Sequence, residues 1–113
     1  MKRDLTELNK LENYLMAKGF DYKRTDSDNV YSAEEWRILV DVNGANAQPM
    51  DRHQIIVFEG RRRSWDVICQ FGSYGADEGL LEGMGDIFDD YVEGYLKADD
   101  VIKRIEQTER GGK

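Results

Sequence analysis

The sequence predicts an α+β protein with an N-terminal helix, a three-stranded antiparallel sheet, and two to three short C-terminal helices packed on one face of that sheet. Three observations carry this expectation. Leu5, Leu8, Leu11 and Leu15 recur at spacings of three and four, the stripe of an amphipathic helix. Three later runs alternate apolar and polar residues, the period of half-buried strands. After Gly72 the period lengthens again through Leu80, Leu81, Met84, Ile87, Phe88 and Tyr91, as on a helix face. The 113 residues are the size of one domain, so 1–113 is expected to fold as a unit with a frayed tail from about residue 110.

Residues 4–18 form the first helix. Asp4 and Glu7 have capping-box spacing, and Gly19 can take the left-handed conformation that stops a helix while Phe20 folds back on Leu15. The polar run DYKRTDSDN reads as a loop whose backbone is served by its own side chains. Trp36, Ile38, Val40 and Val42, alternating with Arg37, Leu39 and Asp41, predict the first strand, which ends at Asn43-Gly44. A second strand runs roughly from His53 to Phe58 and a third from Ser64 to Phe71, with Trp65, Val67, Cys69 and Phe71 on one face. The short Gly60 connection makes these two a hairpin. Gly79, Gly83 and Gly85 divide the later stripe into two short helices. The last helix runs from about Ala98 to Gln107, with Val101, Ile102 and Ile105 inward. Gly75, Gly79 and Gly83, spaced by four, suggest a face where another element comes close.

Acids outnumber bases 23 to 16, for a net charge of −7. This field repels nucleic acid and anionic membrane and favours basic partners. A lone Cys69 excludes an internal disulfide, and with His53 as the only histidine there is no ligand set for a structural zinc. DSDNVYSAEEWR starts like a calcium loop but has Tyr31 where the turn needs Gly and Arg37 where the bidentate Glu belongs. GSYGADEGLLEGMG lacks the Lys-Ser or Lys-Thr of a phosphate loop. No cofactor or metal is expected. The charged N-terminus and the lack of a long apolar run predict a cytoplasmic protein. Cys69 is assigned to the core face, where a thiol is inert, so no catalytic residue is expected either.

The chemistry that remains is charge. Residues 77–100 carry Asp77, Glu78, Glu82, Asp86, Asp89, Asp90, Glu93, Asp99 and Asp100 against Lys97 alone. On a helix Asp86, Asp89 or Asp90, and Glu93 would form a row opposite Ile87, Phe88 and Tyr91. That row reads either as a solvated face or as a docking surface for Lys and Arg on a partner. Arg61, Arg62 and Arg63 at the hairpin turn are the positive counterpart, either an ordinary charged turn or a contact for an anion or an acidic partner. Tyr74, between Gly72 and Gly75, is either a core tyrosine or an exposed interface anchor.

The stretch from RHQIIVFEG through RRRSWDVICQFGSYGADEGLLEGMGDI to VEGYLKADDVIKRI resembles small acidic proteins of Firmicutes phages and mobile elements. In architecture and charge the chain is also similar to some anti-CRISPR inhibitors, which offer carboxylates to the basic channel of a nuclease in place of DNA phosphate. That likeness implies a non-enzymatic inhibitor of a host nucleic-acid-binding protein but transfers no site residue; from the charge pattern of this chain the residues expected at the interface are Asp86, Asp89, Asp90, Glu93, Asp99 and Asp100, with Tyr74 as the exposed anchor. The alternative is a structural or regulatory adaptor, as a homodimer or with another protein, using an apolar patch around Trp36 or Tyr74.

Overall fold

In the computed structural model, which describes residues 3–28, 30–47, 50–89 and 91–111, the leucine stripe forms helix α1 (Thr6–Lys18) and buries Leu8, Leu11 and Leu15. Gly19 stops it at φ 76°. The Gly19 N–H reaches the Met16 carbonyl and the Phe20 N–H the Leu15 carbonyl, the Schellman pattern expected. The N-terminal capping box does not form. Asp4 instead accepts the Thr6 N–H at 3.0 Å, and Glu7 accepts the N–H of Ala98 at 2.6 Å.

The expected three-stranded sheet is a five-stranded antiparallel meander in the order β1-β2-β3-β4-β5. Strand β1 (Tyr22–Ser27) replaces the expected loop and pairs with β2 (Arg52–Glu59) along its whole length, from Tyr22 opposite Val57 to Ser27 opposite Arg52. Its polar side chains are strand-compatible because they have partners. Tyr22 and Arg24 both donate to the Glu12 carboxylate on α1. The β2 hairpin with β3 (Arg62–Ile68) forms as expected, with a bulge after Val57, but β3 stops short of Phe71, which is exposed and not on the core face with Trp65, Val67 and Cys69.

Two segments change type. The expected strand through Trp36 and Val42 is helix α2 (Ala33–Asn43), in the connection between β1 and β2. The two short helices expected after Gly72 are instead β4 (Leu81–Gly85) and β5 (Glu93–Leu96), with single 3-10 turns at Ala76–Glu78 and Asp86–Phe88. Glycine decides the second change. Gly83 lies opposite Val67 and Gly85 opposite Trp65, and the bare backbone at Gly83 lets the ring of Phe88 lie against it. Phe88 is fully buried and meets Trp65 edge to face at 6.0 Å. Helix α3 (Ala98–Gly111) starts where the last helix is expected but runs past the expected end at Gln107 and into the tail expected to fray from about residue 110; residues 112 and 113 fall outside the described residues.

One sheet face carries the core. His53, Ile55 and Val57, then Trp65, Val67 and Cys69, then Leu81, are buried in alternation. Against them lie α1 and the Ala98, Val101 and Ile105 side of α3; of the C-terminal helices expected on this face only α3 forms, and α2 buries no residue. Among the described residues, no helix is long and apolar enough to cross a membrane.

Candidate protein-interaction site

The acidic residues do not form a row. Asp86 opens a 3-10 turn, where Arg62 and the Ser64 hydroxyl donate to it. The Arg62 bond holds its carboxyl below the usual range. Glu93 lies on β5, and both of its oxygens accept from Arg104 of α3, whose guanidinium also lies 3.9 Å from Asp89. Asp100 accepts the Lys97 N–H at the start of α3, and Asp99 lies 3.9 Å from Lys10. Asp90 falls outside the described residues. The acidic and arginine groups read separately in the sequence are partly one ion pair, Arg62 with Asp86. Arg61 and Arg63 are exposed at the turn. Tyr74 is fixed but open: its N–H goes to Glu82, its Cβ abuts Gly94, and the residue is 60% exposed.

A second charged group is buried, where β1 ends and β2 begins. Arg3 grips both oxygens of Asp51 at 2.8 Å, and the Phe71 N–H donates to the same carboxylate at 2.9 Å. His53, 2% exposed, places Nδ1 2.7 Å from Asp26, which also takes Arg24. Burial alone raises the Asp26 and Asp51 carboxyls. The bonds from His53 and Arg24, and from Arg3 and Phe71, outweigh it and hold both below their ordinary value. His53 Nε2 has no hydrogen-bond partner among the described residues, although Asp51 lies 3.3 Å away; the direction of approach does not suit a bond. Among the described residues no group of His, Cys, Asp and Glu is arranged to hold a metal ion. The cluster ties the N-terminal segment to β1 and β2.

Cys69 adjoins this network, its N–H on the His53 carbonyl. Burial pushes its thiol up to about 11, so at neutral pH it is protonated and not a nucleophile. Native protein is therefore expected to resist thiol alkylation for hours at pH 8 and to react only after unfolding. Rapid stoichiometric labelling of the folded chain, read by mass spectrometry, would contradict the burial of this side chain.

Exposed apolar side chains occur at Met16, Tyr74, Met84, Tyr91 and Tyr95 as well as on α2, where three aliphatic ones share one short helix. The Ser32 hydroxyl accepts the Glu35 N–H at 3.1 Å, and Glu35 returns a bond to the Ser32 N–H at 2.9 Å, a complete capping box. Tyr31 stacks on Trp36 at 6.2 Å. The excursion is closed at its base by the Val30 N–H on the Met50 carbonyl. No residue of α2 is buried. Ile38 is 54% exposed, Val40 38% and Val42 77%. The molecule measures 55 × 26 × 25 Å with a radius of gyration of 15.8 Å, against about 13 Å for a compact chain of this length. The sequence reading placed Trp36 in an apolar patch but missed the helix. Its signal was Ser32-Ala-Glu-Glu35, four residues that cap a helix before any strand can start.

Compared with models of protein families, with curated proteins and with solved structures, the chain matches none of them. The class defined here is accordingly structural, an α+β meander with two helices on one face and a third carried outside the core.

Proposed function

We propose that this is a small non-catalytic binding protein that docks on a basic partner protein through α2. The single observation behind the proposal is the exposure of Ile38, Val40 and Val42 on an 11-residue helix with no buried residue. A helix of that length is marginal by itself in water, and three exposed aliphatic side chains gain most when another surface covers them. The reading in which carboxylates stand in for DNA phosphate has less support, because Asp86 and Glu93 are engaged by Arg62 and Arg104.

Stability separates docking from packing. Replacing Ile38 and Val42 together by serine is expected to change the unfolding free energy of the isolated protein by less than about 0.5 kcal/mol, as at an ordinary surface site. A loss of about 2 kcal/mol or more in urea denaturation would show that α2 packs on the body in solution, and the docking reading would fail.

A further inference from the structure

We infer that the occupant of α2 is a cationic amphipathic helix of another protein; the inference rests on the docking reading above. Successive helical residues turn by about 100°, so Leu39 centres the apolar arc, with Trp36 and Val42 beside it and Val40 and Ile38 at its edges. The two sides of this arc differ. On the Trp36 side Tyr31 already covers part of the surface. On the other side a shallow depression is lined by Glu35, Ile38, Leu39, Val42 and Asn43.

Charge selects among occupants for that side. Glu35 stands within the depression, and Glu34 and then Asp41 follow beyond Ile38 around the helix, while Arg37 is the one basic residue of α2 and lies on the back. The net charge of −7 adds a field of the same sign. A second copy of this chain would bring the same Glu34, Glu35 and net charge, so self-pairing sets like against like. Nucleic acid and anionic lipid are repelled in the same way. A helix with a Leu- or Ile-rich face bordered by Lys and Arg satisfies both the apolar strip and its acidic border, the helix-to-helix form of peptide recognition. The strip is about 16 Å long, shorter than a standard interface requires, so micromolar affinity is expected.

The probe is a synthetic helix of Leu and Lys in heptad pattern, with a Leu and Glu helix of equal length as control, titrated by fluorescence anisotropy. The wild-type protein is expected to bind the Lys helix at micromolar concentration and the Glu helix at least tenfold more weakly. Ile38→Ser with Val42→Ser should weaken the Lys helix at least tenfold. Glu34→Gln with Asp41→Asn should weaken it severalfold and flatten its salt dependence. Equal binding by the serine pair and the wild type would reduce the attraction to general acidity and overturn the inference. A wild-type dimer in sedimentation that the serine pair abolishes would overturn it too, in favour of a second copy, while leaving α2 as the docking element. Failure of the docking reading itself has a different sign, the destabilised serine pair described above.

Discussion

Replacing Gly83 by alanine is expected to destabilise the protein by about 3 kcal/mol, near the upper end for overpacking a core, and to lower the melting temperature by roughly 10 °C. A Cβ on Gly83 would lie 2.4 Å from Cζ of Phe88 and 2.6 Å from Cε2. Phe88 has no room to yield, since it is fully buried with its ring edge to face with Trp65. Shrinking the ring should partly rescue the added methyl. In a double-mutant cycle, Gly83→Ala with Phe88→Leu is expected to be more stable than the sum of the two single losses. Strict additivity in urea denaturation would mean that the two positions do not touch.

Removing the Asp51 carboxylate is expected to cost about 3–5 kcal/mol, the range for breaking a buried ion pair on one side. Asp51 is 7% exposed and Arg3 12%, so solvent screens little of the interaction. Its loss leaves the guanidinium with the exposed Asp77 alone, at 3.3 Å, and leaves the Phe71 N–H without its acceptor. The pH dependence has a definite sign. Because the folded carboxyl lies below its ordinary value, its contribution is complete above the usual Asp range near 4 and is lost as pH falls through the folded value. Asp26 acts in the same direction. The melting temperatures of the wild type and Asp51→Asn should therefore differ widely at pH 7 and converge toward pH 2. A constant gap across that range would show that the charge of Asp51 contributes nothing.

The parts of this fold visible in the sequence are those where one local signal acts unopposed. The α1 leucines, the Gly19 stop, the β2 and β3 hairpin and the Val101 and Ile105 side of α3 all fall in this class. Where two signals competed, the sequence reading followed the wrong one. Trp36, Ile38, Val40 and Val42 alternate as a strand would, yet they also lie on a broad helical arc, and the Ser32 and Glu35 cap decides for the helix. Leu80 to Tyr91 has helical spacing, but Gly83 and Gly85 match Val67 and Trp65 across the sheet, a pairing between distant segments. Strand β1 was obscured for a related reason. Its Arg24 and Asp26 look like turn residues until Glu12 and His53 are brought beside them. The candidate site was legible only in part, with Trp36 in the apolar patch but Asp86 and Glu93 assigned to a helix that does not form.

The closure of the α2 excursion at Val30 and Met50 has an evolutionary consequence. Among the described residues between those two points none is buried, whereas the strands that carry them are locked by six paired positions and by the Asp26, His53 and Asp51 cluster. With α2 as the docking element proposed above, recognition and folding would be written in separate stretches of the same chain. Selection can rewrite the exposed helix, residue by residue, for a changing partner while the scaffold beneath it keeps the same sequence.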